Sequence, residues 1–339
     1  STQLNAIETA DLAAMSTAQI KALSTTQVSK LSTDQIAALT TAQAQALTST
    51  QISSITTGQI SKLSTDDLKA LTTAQVKALT ADQIAKLSTD QLVALDTAQT
   101  QALTTAQVAS LTSAQLNNMA SEDLQALTSN QVRGLSTLQM SNLSSDQIQA
   151  LTTAQTSGME VLQATGLTSM QMSSMESVDL AAMNTDALVS LASSSMPGLS
   201  SVQMDALTST QISSLLPAQV GALTTQQLRD LASQDVATLS LSQLSGIQTA
   251  KISALTTTAI AQLTTSTARD LTTSLFTALS RTSSALDSRA RVWATAPNRR
   301  ASRRLLRMAS SQVTATSSAG ADQSLSQPAH CAAVPPAIS

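Results

Sequence analysis

The chain has 339 residues and a formal net charge of −3, and 42% of its residues are hydrophobic but only 1% are aromatic. It has no run of 18 apolar residues, which excludes an apolar helix long enough to span a membrane. One His and one Cys, His330 and Cys331, are too few ligands for a structural zinc site, and their adjacency is not a nucleophile–base arrangement.

The charges are unevenly distributed along the chain. Residues 1–279 hold 10 Lys and Arg against 19 Asp and Glu, whereas residues 280–339 hold eight Arg and two Asp. The first part has no basic stripe, and Phe276 is its only aromatic residue. Nucleic-acid binding draws on cations that contact phosphate and often on aromatic stacking, so we predict none here.

A large aliphatic residue or Met recurs at every eighth position from Ile7 to Leu271, which gives 34 consecutive octads. The unit Leu71–Ala78, with the sequence LTTAQVKA, is typical. If Leu71 is position 1, position 2 is Ser or Thr in 24 of the 34 octads, position 5 is nearly always Gln or Asp, and position 6 is mostly Ile, Val, Leu or Met. Periodicity of this strength indicates a repeat architecture.

Each octad encodes the start of a helix in two ways. A hydroxyl at position 2 and a Gln three residues later form a capping box, in which each side chain satisfies a free backbone N–H of the other residue. With the N-cap at position 2, positions 1 and 6 become the N′ and N4 sites of a hydrophobic staple. The octad therefore predicts a short helix that begins after position 2.

Other periodic structures fit the octad less well. In one continuous helix, eight residues turn through about 800°, so successive leucines would lie roughly 80° apart and the apolar stripe would circle the rod. A coiled coil needs a repeat of 3.5. A β-solenoid stays open because Thr and Val suit strands, but Gln and Ala at positions 5 and 8 favour helix. We predict an all-α solenoid of tandem eight-residue helix-turn repeats, with a β-solenoid as the alternative.

Helices this short must stack, because isolated helices below about 12 residues are marginal in water. We expect positions 1, 6 and 8 to be buried against neighbouring units of a quasi-one-dimensional array. The Gln at position 5 is expected to lie at the periphery of this core.

A second period of 56 residues, or seven octads, lies within the first. Asp replaces Gln at position 5 with this spacing at Asp11, Asp67, Asp123, Asp179 and Asp235. The same spacing relates three further sets: Lys21, Lys77 and Arg133; Lys30 and Lys86; and Asp34, Asp90 and Asp146. Duplication of a seven-octad block explains this period, and so does a superhelical turn of about seven octads that aligns the charges in columns. Both can hold together.

The aspartates at position 5 are not predicted to bind a metal. Under the columnar hypothesis they lie one superhelical turn apart, which is too far for them to share an ion. Asp in the first turn of a helix also has a structural role, since it complements the helix dipole. We predict no catalytic, cofactor-binding or metal-ligating residue in this chain.

We assign residues 1–279 to the solenoid and residues 280–339 to an Arg-rich tail, because the octad register is lost after Leu279. Within the array, residues 191–198 lose the capping box and include Pro197, which predicts a kink or hinge. Three hypotheses remain for the tail: a disordered basic segment, an amphipathic helix around Arg299–Met308 that binds an acidic surface, or a frame-shifted stretch without an evolved role. The chain also begins inside a repeat without a signal peptide, so we expect it to be a segment of a longer protein or a processed product.

Strings such as LTTAQ at Leu39–Gln43 and LTTAQV at Leu103–Val108 resemble the octapeptide arrays of very large, repetitive bacterial exoproteins, which are loosely labelled haem-utilisation or adhesion proteins. The resemblance covers residues 1–279 and implies an extracellular or cell-surface location. It brings no binding residues with it. Haem needs an axial His, Met, Cys or Tyr; the array has no His, Cys or Tyr, and its Met residues mostly occupy positions 1 and 6, so no cofactor is predicted.

We expect a non-enzymatic structural or adhesive role, as a stalk, a spacer or a filament-forming array that self-associates or meets a cell-surface partner. The alternative is an α-solenoid binding module for a peptide or glycan. The two differ at the exposed positions 3, 4 and 7, where a binding groove would concentrate distinctive residues. Ice binding through aligned Thr rows is disfavoured because Ser replaces Thr freely.

Overall fold

The structure, a computed structural model, describes residues 6–263, except for the side chains of residues 233, 234, 257 and 261. In this range the chain forms 31 α-helices of four to six residues, one 3₁₀ helix and no β-strand. The predicted α-solenoid is confirmed, and the β-solenoid alternative is wrong for residues 6–263. The boundary at Leu279 and the hypotheses for residues 280–339 lie outside the described residues.

The helices follow one another at eight-residue intervals. In chain order their bounds are Thr9–Ala14, Thr17–Ala22, Thr25–Val28, Thr33–Ala37, Thr41–Ala46, Ser49–Ser54, Thr57–Ile60, Thr65–Ala70, Thr73–Ala78, Ala81–Lys86, Thr89–Val93, Thr97–Gln101, Thr105–Ala109, Ser113–Asn118, Ser121–Ala126, Ser129–Arg133, Thr137–Ser141, Ser145–Gln149, Thr153–Ser157, Val161–Ala164, Ser169–Ser174, Ser177–Ala182, Thr185–Ser190, Ser193–Gly198 (3₁₀), Ser201–Ala206, Ser209–Ser214, Pro217–Ala222, Thr225–Asp230, Ser233–Thr238, Leu241–Gly246, Thr249–Ile252 and Thr257–Gln262. None of these helices is long and apolar enough to cross a membrane.

The capping box starts most of these helices, as predicted. At Thr73–Ala78, the backbone N–H of Gln75 donates to Thr72 Oγ1 at 3.3 Å, and the backbone N–H of Thr72 donates to Gln75 Oε1 at 2.7 Å. The helix ends at Leu79, whose backbone is extended with φ −58° and ψ 142°. Each octad therefore contains both a start and a stop, which keeps every helix short.

The buried positions differ in part from those expected. Positions 1 and 6 are buried, as at Leu71 and Val76, which confirms the two staple positions as core. Position 8 is only half-buried, as at Ala78. Position 5 is buried as well, and Gln107 is 2% exposed, so the expectation of a peripheral Gln is wrong.

One turn of the solenoid contains about three and a half octads. Each helix packs against the helix three units further on, as Thr105–Ala109 does against Ser129–Arg133. Side-chain hydrogen bonds between turns join residues 25 to 31 positions apart, and the commonest separation is 28. The hypothesis of seven octads per turn is therefore wrong. At about three and a half octads per turn, seven octads make two turns. A given position of the octad therefore returns to the same side of the solenoid after two turns.

The Gln at position 5 connects each turn to the one before it. The Oε1 atom of Gln107 accepts the N-cap N–H of Thr104 at 2.6 Å, at the start of its own helix. Its Nε2 donates to the carbonyls of Leu79 at 2.7 Å and Val76 at 2.9 Å, at the end of a helix one turn earlier. The first N–H groups and the last carbonyls of a helix have no partner within it. One amide therefore satisfies both kinds of helix end, and we call this repeated arrangement the glutamine ladder.

Other residues make the same inter-turn bond where Gln is absent. Lys251 donates from Nζ to the carbonyl of Leu223 at 3.0 Å, across the usual 28 residues. In another octad without Gln, position 5 is Ala187, and the N-cap residue Asn184 donates instead to the carbonyl of Met159 at 2.5 Å. At these two octads the carbonyl one turn earlier thus still obtains a side-chain donor.

Residues 191–198 remain in register despite Pro197. The segment forms the 3₁₀ helix Ser193–Gly198, and Met196 is buried like the other residues at position 6. Ser195 takes the place of Gln and donates from Oγ to the carbonyl of Leu167 at 3.0 Å. The ladder continues through this segment.

Candidate functional site

The sequence predicts no catalytic or ligand-binding residue. Its most regular set of charged residues is the column of aspartates at position 5. Asp67, Asp179 and Asp235 are 3 to 5% exposed, Asp123 is half-buried and Asp11 is exposed. Successive members lie two turns apart. The residues that the structure describes contain no group of three or more His, Cys, Asp and Glu side chains arranged to hold a metal ion.

These aspartates reverse the direction of the bond between turns. A carboxylate has no proton to donate, and three of them instead accept a hydroxyl from a residue 26 positions earlier. The pairs are Thr97 with Asp123 at 2.9 Å, Thr153 with Asp179 at 2.7 Å, and Ser209 with Asp235 at 2.6 Å. Asp67 differs, since it accepts the hydroxyl of its own N-cap Ser64 at 2.6 Å. The column is therefore a structural variant of the ladder.

Burial perturbs one member of the column. The pKa of Asp179 is raised, first because burial removes solvent from the carboxylate, while the Thr153 hydroxyl opposes the shift and the charge of Glu176 adds to it. Glu176 occupies position 2, where most octads have a hydroxyl, and it makes no side-chain cap. The octads of Asp123 and Asp235 likewise have Ala120 and Ala232 at position 2, with no side-chain cap. Glu8 occupies position 2 in the octad of Asp11 and makes no side-chain cap either, so loss of the capping hydroxyl accompanies Asp at four of the five octads.

Two surface grooves recur at the 56-residue spacing. The first, of about 560 Å³, is lined by Thr17, Ala18, Lys21, Gln45, Ala46, Leu47, Thr48, Ser49, Thr72 and Gln75. The second, of about 680 Å³, is lined by the ten residues 56 positions later and by Asn130: Thr73, Ala74, Lys77, Gln101, Ala102, Leu103, Thr104, Thr105, Thr128, Asn130 and Gln131. We call them groove A and groove B. Their one-to-one correspondence shows that the second period of the sequence produces a repeated surface.

Each groove has one cation among hydroxyl and amide groups. Lys21 in groove A and Lys77 in groove B are exposed, and the side chain of neither residue makes a hydrogen bond or an ion pair. The lining of both grooves includes no acidic side chain. The chemistry is therefore suited to a polar ligand with a negative charge.

The third recurrence of this surface contains an ion pair instead. Arg133 lies 56 residues after Lys77, and its guanidinium pairs with Glu160, which lies 56 residues after Thr104. This is the ion pair that the structure gives within residues 6–263. Both side chains are substantially exposed, at 43% and 58%. Here the chain itself supplies a carboxylate to the cation.

Sequence reasoning missed two features of this surface. It did not find the grooves, because positions 3, 4 and 7 look uniform until the turn length is known. It also missed the buried Gln, although one signal was present: position 5 is never Glu in any of the 34 octads. A capping box accepts Glu or Gln equally, so the preference for Gln and the absence of Glu point to a required donor at most octads.

Comparison with known families supports the assignment of a repeat array. The ALTTAQ repeat family matches four segments of the chain, residues 4–41, 60–97, 84–121 and 116–153. No curated protein and no solved structure matches the chain. The similarity is thus to a type of repeat.

Proposed function

We propose that the chain is a non-enzymatic structural segment, a stalk or spacer of an extracellular or cell-surface protein that holds other parts of that protein apart. The observation that supports this most directly is the ladder, which fastens successive turns from Ile7, the acceptor of Gln35, to Leu223, the acceptor of Lys251. Each turn is bonded to the next through buried groups, so bending requires several such bonds to break together. The resemblance to repetitive exoproteins supports the location.

The expected length follows from helix packing. Layers of packed helices lie about 8–10 Å apart, so roughly nine turns give a rod about 70–90 Å long. A spacer needs this length to be fixed, which is the property to measure.

The test is a distance between two spin labels on Ala42→Cys and Thr210→Cys, with Cys331→Ser to remove the native thiol. Both positions are exposed and lie 168 residues, or six turns, apart. We expect one narrow distribution at roughly 50–60 Å. A broad or much shorter distribution would contradict a rigid spacer. Antibody labelling of intact, unpermeabilised cells would test the location, and labelling only after permeabilisation would contradict it.

A binding module for a peptide or glycan is the second candidate, and grooves A and B are the observation in its favour. It predicts that immobilised glycans or peptides retain the chain and that Lys21→Ala with Lys77→Ala abolishes retention. Lys62→Ala with Lys69→Ala is the matched control outside the grooves. If neither double variant reduced retention, the grooves would be ruled out as the binding site.

A further inference from the structure

Grooves A and B belong to a column of cations that repeats every two turns. Lys21, Lys77 and Arg133 occupy the same position at intervals of 56 residues, and all three are exposed. The first two have no acidic partner, whereas Arg133 is paired with Glu160. Glu160 stands where groove A has Thr48 and groove B has Thr104. The third member therefore shows that a carboxylate at this place in the groove is within reach of the cation.

A column of carboxylates repeats with the same interval. Asp34, Asp90 and Asp146 are exposed and make no side-chain hydrogen bond or ion pair. Lys30 and Lys86 precede the first two by four residues, but neither is paired with them. The chain thus has two columns of opposite charge and equal pitch, and the first two side chains of each column are unpaired.

The two columns lie on opposite sides of the solenoid. Lys21 and Asp34 are 13 residues apart, and so are Lys77 and Asp90, and Arg133 and Asp146. A turn takes about 28 residues, as the ladder bonds show, so 13 residues is close to half a turn. When two copies lie side by side in the same direction, the cation column of one therefore faces the carboxylate column of the other. The remaining offset along the axis is about half of an 8–10 Å helix layer, which a small stagger between the copies removes.

We propose that grooves A and B each receive an aspartate from a second copy of this chain, so that parallel copies associate laterally through Lys21 with Asp34 and Lys77 with Asp90. A second copy fits the grooves better than an unrelated acidic ligand, because only a copy is certain to have carboxylates at the two-turn interval. The contact is heterologous, since one copy uses its cation side and the other its carboxylate side. Each added copy leaves one column free at either edge, and such contacts grow into open sheets or filaments. The inference rests on the proposed structural role and specifies its partner.

The test uses the full chain and a charge swap. The mass of particles is measured by sedimentation at increasing protein concentration in about 0.01 M and about 1 M salt, where the screening length falls from about 30 to about 3 Å. We expect the particle mass of the wild-type protein to rise at least about twofold with concentration at low salt, and to return to that of the monomer at high salt. A monomer at every concentration would overturn the proposal.

Two double variants then identify the columns. Lys21→Glu with Lys77→Glu makes both sides acidic, and Asp34→Lys with Asp90→Lys makes both sides basic, so each variant alone should remain monomeric. A mixture of the two should associate again, because every contact then joins opposite charges. Lys62→Glu with Lys69→Glu changes the charge equally outside the cation column and should associate like the wild type. Circular dichroism checks that each variant keeps its helices.

Three outcomes would overturn the proposal: association that survives both double variants, a mixture that stays monomeric, or a monomeric wild type whose Lys21 and Lys77 bind poly-glutamate instead. The last would assign the grooves to an acidic peptide. None of these outcomes affects the spin-label distance within one chain, so failure of this inference is distinguishable from failure of the spacer role.

Discussion

The side-chain nitrogen of Gln107 lies 2.7 Å from the carbonyl oxygen of Leu79, 28 residues earlier in the chain. This bond marks the length of a turn, because the same separation recurs at Gln115 with Leu87 and at Gln155 with Leu127. It also explains why a residue that looks like a capping residue is buried. The amide group has one oxygen for its own helix and one nitrogen for the helix of the previous turn.

Gln107→Ala should destabilise the protein more than Gln19→Ala. Gln107 is buried and makes both the capping bond and the ladder bonds, whereas Gln19 is exposed and makes only capping bonds with Ser16. Removing the Gln107 donor leaves buried carbonyls without that partner, a loss of about 1–3 kcal/mol, in addition to the lost cap. Urea unfolding followed by circular dichroism measures both variants. Equal losses would show that the ladder bond adds nothing beyond capping.

Gln107→Glu tests the acceptor role of this side chain separately from its donor role. Glutamate keeps the oxygen that accepts the Thr104 N–H, but when ionised it cannot donate to the carbonyl of Leu79. We expect it to be destabilising at neutral pH although it preserves the shape of Gln and the capping box. A variant as stable as the wild type would contradict the role of the amide nitrogen.

Gly221→Ala should destabilise the array, and Gly58→Ala should not. A Cβ at Gly221 would overlap the carbonyl oxygen of Gly246, where two turns meet backbone to backbone, whereas a Cβ at Gly58 meets nothing within 4 Å. Gly58 lies inside the helix Thr57–Ile60, where Ala is favoured over Gly by roughly 0.8–1.0 kcal/mol. Thermal melting should therefore shift down for the first variant and up for the second. Shifts in the same direction would contradict the close approach at Gly221.

Asp179→Asn should raise the melting temperature at neutral pH, and the gain should shrink in acid. The pKa of Asp179 is raised by burial, so the folded protein holds this proton more tightly than the unfolded chain does. Ionised Asp179 therefore weakens the fold above its folded pKa, and the penalty disappears as the pH falls below the ordinary aspartate value of 3.8. Melting of both proteins between pH 7 and about 4 measures the difference. Asp146→Asn, on the exposed surface, is the control. A difference in melting temperature that grows in acid would contradict a raised pKa for Asp179.

Lys251→Gln should preserve stability, and Lys251→Met should reduce it. Lys251 donates to the carbonyls of Leu223 at 3.0 Å and Gly221 at 3.2 Å, where other octads use Gln. Gln restores the usual donor, while Met has a similar length and no donor. The measurement is hydrogen exchange of the amides around Leu223, which should quicken in the Met variant alone. Unchanged exchange in both variants would show that this rung is not needed.

The sequence determined the local structure of this protein. The capping hydroxyl, the Gln at N3 and the apolar residues at positions 1 and 6 act within one octad, so helix starts such as Thr72 and buried residues such as Leu71 could be predicted from the eight-residue unit alone. The 56-residue period was also visible, because Lys21 and Lys77 can be counted without any structure.

Only the tertiary structure decided how many octads complete a turn. That number depends on small rotations between successive helices, which add up over several units and are not encoded in any single one. A turn of seven octads and a turn of three and a half give the same 56-residue period, and the bond from Gln107 to Leu79 selects the second. The grooves at Lys21 and Lys77, and the placement of Asp34 and Asp90 on the opposite side, follow from that choice. They could not be predicted because surfaces of a solenoid form between residues about 28 apart, and that separation is fixed by packing between turns.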